Sequence, residues 1–216
     1  MTAEVDVTAG GRISFDPQTQ RYTLDGSTPL DRVTGVLVDH DIINGKWLTT
    51  AARIRGSDVH SAVHYLNEDD LDWSTVRPEI LPFVRSYERL VKHSGLKVIR
   101  CETRTYDLAH FYVGTIDLVA DIGGSEVIID YKTIGRVTYR PPKWAALQTA
   151  AYEASYRKLY GGHVRRRAAC VLMPDGSMPK IIYYDDTGDI NKFLDLASST
   201  RTRREYNCGK REPAED

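Results

Sequence analysis

The sequence predicts an α/β fold, a central mixed sheet flanked by helices, and three observations carry that reading. Residues 112–134 hold two apolar strand-like runs, GTIDLVADI and EVIIDYKTI, joined by Gly123-Gly124, a dipeptide suited to a tight hairpin turn. Residues 96–107 and 166–184 add further runs with strand alternation. Three stretches with helical spacing, at 46–67, 78–94 and 142–160, supply the flanking layers. The 216 residues suffice for one domain with a sizeable core.

Taken in order, residues 12–25 (RISFDPQTQRYTLD) alternate polar and apolar around a Pro-Gln-Thr-Gln turn and read as a β-hairpin. Ser27-Thr28-Pro29 resembles a helix start, with Val33, Val36 and Leu37 as its short apolar face. Together they form an N-terminal extension over residues 1–45. The helix at 46–67 shows Trp47, Leu48, Ala51, Ala52, Val59, Ala62, Val63 and Leu66 at helical spacing. Gly56 inside it costs about 1 kcal/mol relative to alanine, which suggests the close approach of another group. His60 and His64 share one face of this helix; such a pair can bind a transition metal or simply pack.

Glu68–Asp72 reads as a solvated acidic loop, and 78–94 as a helix with Pro78 near its start and Gly95 as its stop. The strand at 96–107 pairs with 111–122 through an even-length loop. In that register Glu102 opposes Thr115 and is diagonal to Asp117. Pro141-Pro142 introduces an alanine-rich helix that stops at Gly161-Gly162 and carries Gln148 and Tyr152 on one face. Residues 165–186 form a second hairpin turning at Pro174-Asp175-Gly176, and Thr187–Ser199 a last amphipathic helix. The core therefore spans 46–200, and 201–216 is expected to be a basic, flexible tail.

Composition narrows the functional classes. The net charge of −1 gives no global attraction to nucleic acid. Local clusters, Arg165-Arg166-Arg167 and Arg201, Arg203, Arg204, Lys210 and Arg211, read either as solvated faces or as phosphate contacts. Cys101, Cys170 and Cys208 fit neither a disulfide framework nor a zinc or iron–sulfur spacing. No apolar run approaches the roughly 18 residues of a membrane span, and the N-terminus shows no secretory pattern. A cytoplasmic protein with no membrane partner is expected.

The chemistry concentrates in the central hairpin. With Gly123-Gly124 as the loop, Ile122 faces Ser125, and the same register sets Asp117 opposite Asp130. Their Cβ atoms are then roughly 4.5–5.5 Å apart. Lys132 points to the same face, because strand side chains alternate with period two. Like charges set opposite one another destabilise a sheet, and a hard divalent cation compensates them. Such a site suits phosphodiester hydrolysis, with Lys132 orienting or deprotonating water or neutralising developing charge. The backbone carbonyl of Tyr131 is a further candidate ligand. The competing reading is a buried ion-pair network of Asp117, Asp130 and Lys132 without catalysis.

GTID, IIDYKT and QTAAY, in that order, resemble the PD-(D/E)XK nuclease superfamily, specifically its RecB-like branch with G-x-x-D, (D/E)-x-K and Q-x-x-x-Y. Arg55-Gly56-Ser57-Asp58-Val59-His60 is similar to the first motif of that branch, and Glu102 matches an acidic residue of many members. RYTLDG followed by VTGVL looks like small phage-borne members. The resemblance implies a restriction-endonuclease-like core. It further implies His60, Asp117 and Asp130 as metal ligands, Lys132 as the catalytic lysine, and Glu102 in support, either behind the ligands or on a second metal. Gln148 and Tyr152 would border the site and position Lys132 or DNA, whereas His64 returns to a packing role.

The implied activity is a Mg2+- or Mn2+-dependent DNA exonuclease of phage or bacterial recombination or repair, leaving a 5′-phosphate and a 3′-hydroxyl. A structure-specific endonuclease and a non-catalytic DNA-binding module of the same fold are the alternatives. A single-strand annealing or recombination protein is a candidate partner, and ring-forming relatives leave an oligomer open. No iron–sulfur cluster is expected, since the branch that carries one uses four cysteines. No G-x-x-x-x-G-K-[ST] appears, so any helicase would be a separate chain.

Overall fold

Nine strands among the described residues join into one mixed sheet. The computed structural model describes residues 3–7, 11–43, 49–134, 141–161 and 164–209. Strands β1 (Ala3–Val7), β2 (Gly11–Asp16), β3 (Arg21–Leu24) and β4 (Thr28–Arg32) form an antiparallel meander. Helices α1 (Val33–Asp39), α2 (Thr50–Asn67) and α3 (Leu81–Ser94) follow. The central strands are β5 (Lys97–Asp107), β6 (Tyr112–Ile122) and β7 (Ser125–Thr133). Helix α4 (Ala145–Tyr160) then leads to β8 (Val164–Leu172), β9 (Lys180–Tyr184) and α5 (Gly188–Gly209).

Strand β6 lies at the centre. From Tyr112 to Asp121 it pairs antiparallel with β5 on one edge, with a break at Asp117. On the other edge, β4 pairs in parallel with Tyr112 and Val113, and β7 pairs antiparallel with Leu118–Ile122. Gly114–Asp117 fall between these two partners, so that edge of the sheet has a window there.

The sheet separates two apolar layers. Helices α2 and α3 cover one face, with Val59, Val63, Val84 and Tyr87 packed on Leu118, Ile129, Tyr131, Cys170 and Leu172. Helices α1, α4 and α5 cover the other, with Leu37, Ala151, Tyr152 and Phe193 packed on Tyr112, Ile116, Val119 and Ile128. A small third cluster of Ile13, Leu30 and Val113 lies under the meander. At roughly 25 cal/mol per Å2 of apolar surface buried, these layers are what holds the sheet and helices together.

Several sequence expectations need correction. Ser27-Thr28-Pro29 does not begin a helix. Asp25 and Gly26, both at positive φ, make a tight turn that sends Thr28–Arg32 back along β3 as β4, burying Leu30. Helix α1 starts only at Val33, yet it buries the expected Val33, Val36 and Leu37. The described part of α2 begins at Thr50, with Thr49 Oγ1 accepting from the Ala52 N–H; Trp47 and Leu48 lie outside the described residues.

The last helix does not stop at Ser199 but runs to Gly209, because its second half has partners to reach. Arg204 pairs with Asp31 of β4, and Arg201 stacks on Phe111 at 4.1 Å and bonds Glu205 one turn on at 2.6 Å. Lys210 and Arg211 lie outside the described residues. Arg167 is neither a solvated charge nor a phosphate contact. It is buried and pairs with Glu153 of α4 and Asp189 of α5 at 3.1 and 3.0 Å, while also donating to the Ala146 and Asp186 carbonyls.

Candidate active site

The central register forms where the Gly-Gly turn puts it. Both turn glycines adopt positive φ, and Ile122 faces Ser125 through to Leu118 facing Ile129. Asp117 and Asp130 come next, but the backbone ladder stops before them. Asp117 Oδ2 instead accepts the Tyr131 N–H at 2.6 Å, a short charge-assisted bond. The carboxylate takes the place of a backbone carbonyl.

Side-chain alternation also breaks at this point. Ile116 packs in the layer of α4, and Leu118, two residues on, in the layer of α2. Asp117 is thereby aimed across the sheet towards α2, where His60 Nδ1 lies 3.3 Å from its Oδ1. The His60 ring is held edge-on by Tyr131, with centroids 5.6 Å apart.

Glu102 stands two residues away from its expected register. The pairs Cys101–Leu118 and Thr103–Ile116 flank it, so it lies opposite Asp117 rather than Thr115. The reason is the connection from β5 to β6, which pairs Asp107 directly with Tyr112 across a four-residue loop containing Phe111 at positive φ. Glu102 itself has φ +43, a kinked backbone next to the bend at Asp117. Ligand atoms of His60, Glu102 and Asp117 lie within 4.8 Å of one another.

Asp130 and Lys132 occupy the other side. Asp130, 2 % exposed, contacts Lys132 Nζ, and its Oδ2 makes no well-aligned hydrogen bond. Lys132 Nζ donates to Gln148 Oε1 at 2.9 Å, and Gln148 Nε2 donates to the Tyr152 hydroxyl at 2.9 Å. The spacing of Gln148 and Tyr152 on α4 makes that relay possible. Tyr152 can lie against β6 because residue 114 is glycine. A Cβ there would fall 2.5 Å from Tyr152 Cε1 and 3.0 Å from Val33 Cγ2.

Sequence reasoning missed Trp144, whose ring centroid lies 4.3 Å from Lys132 Nζ. The only sequence signal was an aromatic residue just before the Gln148 helix. It also missed the pocket of about 260 Å3 next to Gln148 and Tyr152, lined by Phe15, Tyr22, Arg32 and Gly114. Phe15 and Tyr22 stack there with centroids 4.6 Å apart. Conversely, Gly56 does not mark a tight approach. A Cβ there would meet Thr133 Oγ1 at an ordinary 3.7 Å. Gly56 lines, with His60, His64 and Glu102, a cleft of about 400 Å3.

The electrostatics are those of crowded carboxylates. Burial pushes Asp117 up, but His60, Lys132 and the Tyr131 N–H outweigh it and hold the group below the usual carboxylate range. Burial and the Asp117 charge carry Asp130 up to about 6 against the pull of Lys132. Glu102 opens to solvent at the cleft, yet the protein around its carboxyl, with Asp117, pushes it up to about 7. Burial pulls His60 down, and the charge and hydrogen bond of Asp117 more than reverse this, to about 9. Protons stand where positive charge is wanted. Two carboxylates and one imidazole nitrogen within 4.8 Å of one another, with the Asp130 carboxylate coupled to them, are the donor set of a hard divalent cation with oxygen-rich coordination, and the residues present fit one.

A family model described as the PD-(D/E)XK nuclease superfamily matches residues 37–180. Among solved structures, a protein from Eubacterium rectale named "Putative exonuclease" is 16% identical. The match covers 87% of this chain and 78% of that one, with a TM-score of 0.51. An alkaline exonuclease (LHK-Exo) from Laribacter hongkongensis is 11% identical over 83% and 93% of the two chains, with a TM-score of 0.41. No curated protein matches the sequence.

Proposed function

Because the chain belongs to the PD-(D/E)XK nuclease superfamily, we propose that it is a divalent-metal-dependent DNA exonuclease of phage or bacterial recombination or repair. One observation carries the reading: the Asp130–Lys132–Gln148–Tyr152 relay lies beside the His60, Glu102 and Asp117 cluster. A buried ion-pair network alone gives no reason for a relay whose far end, Gln148 and Tyr152, lines the neighbouring pocket.

His60, Glu102, Asp117 and Asp130 would hold Mg2+ or Mn2+, with the Tyr131 carbonyl as a further candidate. When bound, the ion supplies Lewis acidity at a phosphoryl oxygen. Lys132, pinned by Asp130, Gln148 and Trp144, presents its Nζ to the attacking water and to the charge that develops on the phosphoryl group. Gln148 fixes the direction of that Nζ, and Tyr152 fixes Gln148. Water attacks phosphorus, the P–O3′ bond breaks, and the water's proton ends on the departing 3′ oxygen. The products carry a 5′-phosphate and a 3′-hydroxyl. The stacked Phe15–Tyr22 pair and Arg32 give the neighbouring pocket the aromatic face and the charge that a DNA strand needs.

The test uses end-labelled linear, closed circular and single-stranded DNA with Mg2+, Mn2+ or EDTA. Linear DNA should be degraded from its ends only with metal. Lys132→Met should slow cleavage by about 10²–10³-fold, the scale of losing one preorganised charge-stabilising group, while DNA binding persists. Cleavage of the circle would replace the exonuclease reading with a structure-specific endonuclease. Metal-dependent DNA binding without any cleavage would make the chain a binding module.

A further inference from the structure

A second group of metal-ligating side chains lies one helical turn from the first. His64, in the last turn of α2, Glu68, the C-cap residue of that helix, and Cys101 of β5 bring ligand atoms within 4.8 Å of one another. The geometry points to a separate site for a thiophilic divalent ion, with Zn2+ as the natural occupant. It would join the end of α2 to strand β5.

The donor set decides the class of ion. A thiolate, an imidazole and a carboxylate suit Zn2+, whereas Mg2+ takes oxygen ligands and gains little from sulfur. Three protein ligands leave a fourth tetrahedral position for water. At bond lengths of about 2.0–2.3 Å the ligand atoms of such a site sit roughly 3.5 Å apart. The observed spread therefore has to close by only about an ångström. Glu68 is exposed and free to swing, and no hydrogen bond holds the buried Nδ1 of His64.

The scaffold is otherwise set. Cys101 is a free thiol whose residue pairs with Leu118 in the sheet. The Glu68 N–H donates to the His64 carbonyl at 3.1 Å, and the Tyr87 hydroxyl donates to Asn67 Oδ1 at 2.8 Å. The cleft that His64 lines gives an ion a way in from solvent.

His64 is one turn from His60, and Cys101 adjoins Glu102. An ion held here would therefore fix the two elements that deliver His60 and Glu102 to the neighbouring cluster. It would act as a staple between α2 and β5 rather than as a participant in hydrolysis.

Metal-free full-length protein, with excess Mg2+ present to fill the oxygen-rich cluster, is titrated with Co2+. A thiolate-to-cobalt charge-transfer band should appear and saturate at one equivalent. Cys101→Ser should abolish it, and Glu68→Gln should weaken cobalt binding about tenfold or more. Asp117→Asn should leave the band in place. Zn2+ should also slow alkylation of Cys101, followed on its peptide by mass spectrometry. Absence of the band from the folded wild-type chain overturns the proposal. So does a band that survives in Cys101→Ser, one lost in Asp117→Asn, or alkylation unaffected by Zn2+. Glu68 is exposed at a helix end, so its substitution reports on binding without unfolding the chain.

Discussion

Gly114 and Tyr152 compete for one space: the phenol ring occupies the position in which any side chain at 114 would begin, with a Cβ only 2.5 Å from Cε1. The glycine of the G-x-x-D motif thus has a steric reason. It admits the ring that positions Gln148, which in turn bonds Lys132.

Gly114→Ala should therefore act as an active-site mutation at a distance. The methyl group pushes Tyr152 outward and breaks the relay to Lys132, and misplacement by about 1 Å costs on the order of 10²-fold in rate. Overpacking should also cost about 1–3 kcal/mol of stability. Cleavage kinetics and urea unfolding measure the two effects. An alanine variant with the wild-type rate would show that the relay does not position Lys132.

The metal-free protein should lose stability as pH rises, the reverse of ordinary acid denaturation. His60, raised from 6.5 to about 9, contributes stability that is complete below 6.5 and lost through 9. Glu102, raised from 4.5 to about 7, adds in the same direction, since between those values the unfolded chain ionises and the folded chain does not. Thermal unfolding in EDTA should show a falling midpoint from about pH 5 to pH 9. Divalent ions displace the same protons, so Mn2+ affinity should climb over that range, with proton release visible by calorimetry in buffers of different ionisation heat. A midpoint that rises with pH in EDTA contradicts this account.

Arg167→Met should separate stability from chemistry. Removing the guanidinium takes from Glu153 and Asp189 the cation they share and leaves each with one more exposed partner, Arg157 at 2.7 Å and Lys192 at 3.6 Å, so the loss should stay below the about 3–5 kcal/mol of a fully broken buried pair. Arg167 touches none of the candidate site residues directly, so the fraction that stays folded should cleave at close to the wild-type rate. Denaturant unfolding and cleavage at low temperature read the two quantities. An undiminished unfolding midpoint would mean that Arg157 and Lys192 compensate Glu153 and Asp189 by themselves.

Much of this architecture is legible in the residues because local rules decide it. Gly123-Gly124 dictates the pairing of β6 with β7 as far as Leu118 and Ile129, and so brings Asp117 and Asp130 to the end of one ladder. The four-residue spacing of Gln148 and Tyr152 survives unchanged on α4. What escaped depends on remote choices. Glu102 moved by two positions because the loop is centred one residue further along the chain, between Asp107 and Tyr112, and alternation alone does not reveal that. The turn at Asp25-Gly26 was visible as a dipeptide, but Thr28-Pro29 also satisfies the rules of a helix start, and burial of Leu30 decides between them. Trp144 contacts Lys132 only once the segment before α4 has packed, which no local pattern records. Arg167 sat in a run of three arginines, where charge argued for the surface and three-dimensional pairing placed it inside.

The bond from the Tyr131 N–H to Asp117 Oδ2 has a consequence for how this chain can diverge. One carboxylate both registers two strands and belongs to the acidic cluster, so the lineage cannot shed the chemistry by replacing Asp117 with an arbitrary residue. Asparagine retains the acceptor, and alanine leaves a buried N–H orphaned at a cost of about 1–3 kcal/mol. A descendant that gave up hydrolysis while keeping this fold should therefore carry an amide at position 117, and its sequence would still look like that of an enzyme.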